Sequence, residues 1–109
     1  MSEVLAFRWT AAEAPRLMQS LILLNQAQNY EEFKEALRYW DVPSQNFVYA
    51  DTEGNIAYQT PGRIPVRQNG DGLVPVPGWT GEYEWEGGVP YEEMPALLNP
   101  DQGLSLIHI

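Results

Sequence analysis

The chain has 109 residues, and its 15 acidic and six basic side chains give a formal charge of −9 at neutral pH. This charge repels nucleic-acid phosphates and anionic lipid, so we expect no nucleic-acid and no membrane partner. No apolar stretch approaches the roughly 20 residues that a membrane-spanning helix needs. The absence of cysteine excludes disulfides and thiolate chemistry, whereas the length allows a single small domain or a part of a larger one.

The N-terminal part is predicted to contain a strand and a helix. Residues 4–10 are rich in β-branched and aromatic side chains, which predicts a strand. Leu17, Leu21 and Leu24 then recur at helical spacing. We therefore expect a helix over residues 14–25 whose apolar face packs on a sheet.

A second helix is predicted soon after the first. Asn29 and Glu32 have the spacing of a capping box, in which the asparagine side chain accepts a hydrogen bond from the N–H of Glu32 and the glutamate reaches back. We expect this helix to cover residues 30–40 and to end before Pro43. Its apolar side chains fall on one face, which is typical of a helix that contributes to the core.

The middle of the chain predicts a β-hairpin. Apolar residues alternate with a period of two over residues 47–50 and again over residues 56–58. Thr52 to Asn55 supply the turn, in which Gly54 accepts a positive φ at little cost. Two helices and a hairpin predict the α+β class.

The remainder is predicted to be a long, ordered loop region, since seven of the nine prolines lie at or after Pro61. Aromatic residues are spread through it, and we expect them to clamp the loops onto the rest of the fold. The alternative is a platform on which a carbohydrate or an apolar ligand stacks. These aromatic residues are Trp79, Tyr83, Trp85 and Tyr91.

No catalytic residue and no metal site is predicted from the residues themselves. Ser2 would be the first residue after removal of Met1, but serine is common at this position and nothing that follows identifies it as a nucleophile. His108 is the single histidine, and it lies in the C-terminal residues 104–109. Asp51 is interpreted as an acceptor in the hairpin turn, and the glutamates near residues 82–93 as a solvated face.

Several uncommon motifs follow one another in a fixed order and carry a family resemblance. Together they resemble the nucleophile-containing chain of penicillin acylases, a family that includes acyl-homoserine lactone and aculeacin-type acylases. The resemblance covers Leu5 to Gly103. In chain order the motifs are RWT at residues 8–10, NFVYAD and EGNI in the hairpin, then GDG, PVPGW, YEW, VPYEEMP and NP-x-x-G.

This resemblance implies an N-terminal nucleophile hydrolase with the four-layer αββα fold, of which residues 1–103 would be an interior fragment. Such an enzyme cleaves the acyl–amide bond of a small-molecule substrate with a serine whose own α-amine acts as its base. The serine would lie upstream, and the asparagine that stabilises the oxyanion would lie downstream. We therefore expect a fragment that is inert alone, whose partner is the remainder of the acylase precursor, with residues 104–109 a non-native tail.

The resemblance also places two substrate-binding candidates, Trp9 and Gln45, at positions that line the acyl pocket of the family. A core role for Trp9 remains the alternative. The resemblance also implies that catalysis needs no cofactor. It implies a structural calcium ion in the full-length enzyme, without a ligand set in this chain, and a periplasmic or extracellular location. The alternative function is a non-catalytic module that binds carbohydrate or an acyl chain.

Overall fold

The computed structural model describes residues 4–13 and 16–103 and has the predicted α+β architecture. None of the helices in these residues is both long and apolar enough to cross a membrane. Short 3₁₀ turns occur at Thr10–Glu13 and Tyr91–Glu93. The helices are α1 (Leu17–Gln26) and α2 (Tyr30–Leu37), and the strands are β1 (Phe47–Ala50), β2 (Ile56–Gln59), β3 (Pro65–Arg67), β4 (Trp85–Gly88) and β5 (Ala96–Leu98).

Helix α2 begins at the predicted cap, since the N–H of Glu32 donates to Oδ1 of Asn29 at 2.9 Å. The glutamate carboxylate accepts from the N–H of Gln28 rather than from that of Asn29, so the reciprocal half of the box is displaced by one residue. The helix ends earlier than the predicted residue 40. The N–H groups of Tyr39 and Trp40 donate to carbonyls three residues back, which tightens the last turn and ends the α-helix.

Helix α1 packs against α2, which corrects the prediction that it lies on a sheet. The buried hydroxyl of Ser20 donates to the carbonyl of Ala36 at 2.8 Å, so the small side chain lets the two helices approach closely. Longer apolar residues of α1, such as Met18 and Ile22, point away and are exposed. The predicted first helical turn at residues 14 and 15 lies outside the described residues.

Helix α2 covers the main sheet through an aromatic cluster. Phe33 lies 6.3 Å from Phe47 and 5.0 Å from Tyr49, measured between ring centroids, and Trp40 lies 4.9 Å from Phe47. The strand order is β1-β2-β5, and both pairings are antiparallel. Leu37 and Ala57 are buried in this core, and Tyr58, which follows Ala57 on β2, is buried on the other face of the strand.

The predicted hairpin is confirmed in its strands and its turn. Phe47 pairs with Gln59 at one end and Ala50 with Ile56 at the other. Asp51 organises the turn, because its carboxylate accepts from the N–H groups of Glu53 and Asn55. Gly54 has a φ of 87°, as a turn of this kind requires.

A second, two-stranded sheet pairs β3 with β4, and the N-terminal segment lies against it. Residues 4–9 are not part of any sheet in the described chain, so the predicted N-terminal strand is wrong there, and Thr10 begins a 3₁₀ turn. Instead of forming a ladder, the segment is held by Arg8. Its guanidinium lies 4.3 Å from the ring centroid of Trp85 and pairs with Glu84 at 3.3 Å.

Candidate functional site

Trp9, the first substrate-binding candidate, ends the extended N-terminal segment. Its side chain is 57% exposed, and its ring lies 6.2 Å from that of Phe7 in a tilted arrangement. Its carbonyl accepts from the N–H of Ala12, which fixes the backbone at the start of the 3₁₀ turn. Trp9 is therefore a surface residue of the described chain, and its ring is available to a ligand or to another part of a larger protein.

Gln45, the second candidate, lies in the connection between α2 and β1. It is exposed, and the structure shows no hydrogen bond from its side chain to another described residue. Neither Gln45 nor Trp9 lines the cleft described next. The structure leaves the substrate-binding role of both residues untested.

A polar cleft of about 400 Å³ opens where the N-terminal 3₁₀ turn, the end of α2 and the second 3₁₀ turn meet. Asp41 lies at its base and is only 4% exposed. Its backbone carbonyl accepts from the N–H of Arg63, which ties the segment after β2 to the segment after α2. The cleft is lined by Glu13, Arg16, Arg38, Trp40, Asp41, Gly62, Arg63, Val89 and Tyr91.

The guanidinium groups of the cleft are paired with carboxylates. Nε and Nη2 of Arg16 donate to the two oxygens of Asp41 at 3.2 and 2.6 Å, and this hydrogen bonding raises the pKa of Arg16. Arg63 donates to the carbonyl of Glu13 and pairs with its carboxylate at 3.2 Å. Because Arg16 and Arg63 are each paired with a carboxylate of the chain, we interpret them as structural groups of the cleft rather than as an anion-binding site.

Tyr91 of the second 3₁₀ turn and Arg38 at the end of α2 lie together at the cleft. The hydroxyl of Tyr91 donates to the carbonyl of Lys34 at 2.6 Å, and burial raises the pKa of Tyr91. Arg38 lies over the tyrosine ring at 4.8 Å and pairs with Glu35 and Glu92, and its hydrogen bond lowers the pKa of the Glu92 carboxyl. The tyrosine is thus held protonated as a structural donor.

Hydroxyl groups of the described serines are engaged in structural hydrogen bonds. Ser20 donates to the carbonyl of Ala36, and Ser44 donates to the carbonyl of Pro61 at 3.0 Å. A nucleophilic serine instead needs a base within hydrogen-bond reach of its proton. Residues 4–13 and 16–103 bring no such pair together, and the candidate residues Ser2 and His108 lie outside them.

Residues 70–73 do not fit a calcium ion by themselves. In the described part of the chain, no three histidine, cysteine, aspartate or glutamate side chains converge on a point that could hold a metal. Oδ1 of Asp71 accepts from the N–H of Leu73 at 2.9 Å, so this carboxylate is used in a local turn. A calcium ion near residues 70–73 would need carboxylates from elsewhere in a longer polypeptide.

The cleft has no signal in the sequence. Arg16 and Asp41 are 25 residues apart and carry no periodic or motif signal. Each alone resembles an ordinary surface charge. Only the close packing of α1 on α2, which Ser20 permits, brings the two side chains together.

Comparison with known proteins adds a family match to this geometry. Residues 1–106 match the family model described as penicillin amidase. The chain is 36% identical over 93 residues to the penicillin acylase 2 proenzyme of Pseudomonas sp. strain SE83, with 85% of this chain and 12% of that protein covered. It is 42% identical over 78 residues to the acyl-homoserine lactone acylase QuiP of Pseudomonas fluorescens strain Pf0-1, with 67% of this chain and 9% of that protein covered.

The fold is also similar to that of a solved structure. The thermostable penicillin G acylase from Alcaligenes faecalis matches with a TM-score of 0.72 and 32% sequence identity, over 81% of this chain and 16% of that chain. The chain spans only 9 to 12% of the length of the two curated relatives. The similarity thus concerns one segment of much longer proteins.

Proposed function

The chain belongs to the penicillin amidase family, and we propose that it forms part of an amide hydrolase that cleaves the acyl–amide bond of N-acylated small molecules. Substrates of the penicillin or acyl-homoserine lactone type are the classes named for its relatives. The observation that carries the proposal is the family match over residues 1–106, supported by the shared fold. We place residues 1–103 as an interior scaffold of a longer acylase precursor.

In the proposed enzyme, the serine that begins the catalytic chain attacks the amide carbonyl. Its α-amine takes the hydroxyl proton and delivers it to the leaving amine as the C–N bond breaks, and an ester to the serine forms. Water then cleaves the ester, which releases the acid and restores the serine. Backbone N–H groups and an asparagine side chain hold the developing oxyanion. The hydroxyls of Ser20 and Ser44 both donate to backbone carbonyls, which supports the proposal that the nucleophile lies elsewhere in the polypeptide.

We propose that this chain contributes acyl-binding surface through Trp9 and Gln45. The exposed ring of Trp9 supports this role, because a flat aromatic face packs well against an acyl chain. Trp9→Ala in the intact enzyme should raise KM for an acyl amide more than it lowers kcat. An unchanged KM would contradict a substrate-binding role for Trp9.

The proposal predicts that the 109-residue chain is catalytically inert. The purified chain should not hydrolyse a chromogenic phenylacetyl or long-chain acyl amide, whereas the intact protein encoded by the continuous reading frame should hydrolyse one of them. Turnover by the 109-residue chain alone would contradict the proposal, and so would a reading frame without an upstream serine at a self-cleavage site.

A non-catalytic binding module is the second candidate function, and the exposed ring of Trp79 is the observation that favours it. The other three aromatic residues of the loop region pack within the chain, which weakens a platform of several rings. Saturable binding of an oligosaccharide or a fatty acid to an intact protein that hydrolyses no acyl amide would support this alternative.

A further inference from the structure

The loop between β3 and β4 exposes an uncharged, apolar segment that we call the Leu73–Trp79 arm, of sequence LVPVPGW. Leu73 is 83% exposed and Trp79 is 88% exposed, and Val74 and Val76 are exposed between them. The prediction that all the aromatic residues clamp the loop region is wrong for Trp79, because no described part of the chain covers its ring. An exposed apolar group of this size marks an interaction surface.

The arm rests on an ordered base. The N–H of Gln68 donates to the carbonyl of Glu84 at 2.9 Å, and the side chain of Asn69 donates to the carbonyl of Glu82 at 2.7 Å. The ring of Tyr83 packs on Gly70, where a Cβ atom would lie 3.6 Å from Cδ1 of the tyrosine. Two prolines fix φ within the arm itself. A segment presented in one conformation loses less entropy on binding than a mobile loop does.

Charges around the arm indicate the character of its partner. Asp71 and Glu82 flank the arm in the sequence, and the guanidinium of Arg67 lies against Gly72 at its base. Acidic groups therefore outnumber basic ones around the arm, and the whole chain carries a charge of −9. A second copy of the chain would bring these like charges together, and an anionic lipid surface would repel them. Lysine or arginine side chains at the rim of an apolar groove would complement both the arm and its flanks.

A sugar fits the arm less well than a protein groove does. Small-molecule sites combine an apolar surface with a few convergent polar groups. The arm offers only proline, valine, leucine and glycine beside Trp79, and the neighbouring hydroxyl of Thr80 is engaged with the carbonyl of Pro77 and the N–H of Glu82, both at 3.3 Å. No free polar side chain of the arm remains to orient a sugar.

We propose that the Leu73–Trp79 arm inserts into an apolar groove rimmed by basic side chains, on the part of the same acylase polypeptide that lies outside these 109 residues. This inference rests on the proposed function, since the groove that receives the arm belongs to the longer acylase. The curated relatives contain ample sequence for such a groove, because the match covers only 9 to 12% of their length. Trp79, the largest side chain of the arm, is its main anchor, because buried tryptophans often dominate the binding energy of protein interfaces.

The test uses the intact protein with the photo-cross-linker p-benzoylphenylalanine in place of Trp79, which keeps an aromatic ring at the position. The matched control carries the same group in place of Glu53, which is exposed on the polar hairpin turn. After irradiation, mass spectrometry should find the position 79 group attached to a peptide outside residues 1–109 that contains apolar and basic residues. The position 53 group should give no such product.

A second measurement covers the energetics of the arm. Trp79→Ala in the intact protein should raise the unfolded-to-folded ratio at a given urea concentration about tenfold or more, whereas Thr52→Ala on the exposed turn should leave it unchanged.

Three results would overturn the arm proposal. The first is no cross-link from position 79, and the second is cross-links confined to residues 1–109 or to a second copy. The third is a position 79 cross-link that is lost when cellohexaose is added. Hydrolysis of an acyl amide is measured on the same preparations. Hydrolysis without the cross-link refutes the arm alone, while the cross-link without hydrolysis refutes the proposed function alone.

Discussion

Asp41 is a buried carboxylate that is paired with one cationic group, the guanidinium of Arg16. Its two oxygens accept from the guanidinium of Arg16, while only 4% of the residue is exposed. Asp41→Asn replaces the carboxylate with an amide of similar size that cannot accept from both guanidinium nitrogens. We expect the free energy of unfolding to fall by about 1–3 kcal/mol, toward the lower end because Arg16 can rehydrate.

Urea unfolding followed by tryptophan fluorescence measures this loss. Asp101→Asn is the matched control, because Asp101 is exposed and makes no hydrogen bond from its side chain in the structure. The control should change the unfolding free energy by no more than about 0.5 kcal/mol. Equal effects of the two substitutions would show that the pair with Arg16 contributes nothing to stability.

Asp51 links stability to pH through the hairpin turn. Hydrogen bonds from the Asn55 side chain, the Asn55 and Glu53 N–H groups and the Tyr49 hydroxyl hold the pKa of Asp51 below its ordinary value of 3.8. Because the folded pKa lies below the unfolded one, the stabilisation is fully present above pH 3.8 and is lost as the pH falls through the folded pKa.

The Asp51→Asn variant isolates this contribution. The difference in unfolding free energy between the parent chain and the variant should be constant near neutral pH and should shrink below about pH 4. Unfolding curves collected over a series of pH values measure it. A difference that stays the same down to about pH 2 would mean that the turn does not distinguish the charged carboxylate from the neutral one.

At the scale of elements, Gly62 allows the segment after β2 to cross the connection between α2 and β1. A Cβ atom at this position would lie 2.7 Å from Cβ of Ser44 and 3.1 Å from its Cα. The backbone of Ser44 would have to move, and its hydrogen bond to the carbonyl of Pro61 would be disturbed. We expect Gly62→Ala to destabilise the chain by about 2–3 kcal/mol.

Gly78 provides the control for this substitution. It lies in the exposed arm, where a Cβ atom would have no neighbour within 4 Å, and its backbone conformation is an ordinary one. Gly78→Ala should be neutral or should stabilise by up to about 1 kcal/mol, because it restricts the unfolded chain. Thermal unfolding of the two variants compares them, and a loss at Gly62 no greater than that at Gly78 would refute the close crossing.

Elements with a local cause could be predicted from the sequence. The hairpin follows from a period of two around Gly54, and the start of α2 follows from the spacing of Asn29 and Glu32. Both signals act between residues only a few positions apart. The family resemblance was likewise carried by short motifs in order, and the family match confirms it.

Elements that depend on distant partners were harder to predict. The side-chain pattern of residues 4–10 is typical of a strand, but a strand forms only when it pairs with another strand. In the described chain no strand lies beside this segment. The apolar pattern of α1 could not show that Ser20, rather than its leucines, makes the close contact with α2. The cleft and its ion pairs depend on the same long-range packing, and the roles of Trp9 and Gln45 remain predictions.

At the scale of the molecule, large apolar side chains lie exposed in several separate regions. They occur in the N-terminal segment, on the outer face of α1, on the sheet and in the arm, with Phe7, Ile22, Val48 and Trp79 as examples. The radius of gyration is 17.4 Å, whereas a compact chain of this length has about 13 Å. A chain of this shape has too little interior to bury its own apolar residues, which supports its proposed place within a longer protein.

This surface leads to a prediction for the isolated chain. Exposed apolar side chains favour contacts between copies, and so do the edges of β1 and β5, which no strand of residues 4–13 and 16–103 pairs. The charge of −9 opposes these contacts. We expect sedimentation velocity to show oligomers whose share grows with protein concentration, and more strongly in salt, which screens the repulsion. The intact protein at equal molar concentration is the control and should show a fixed assembly state. A monomer with a sharp, concentration-independent thermal transition would show that these residues form a self-sufficient domain, and the scaffold interpretation would then fail.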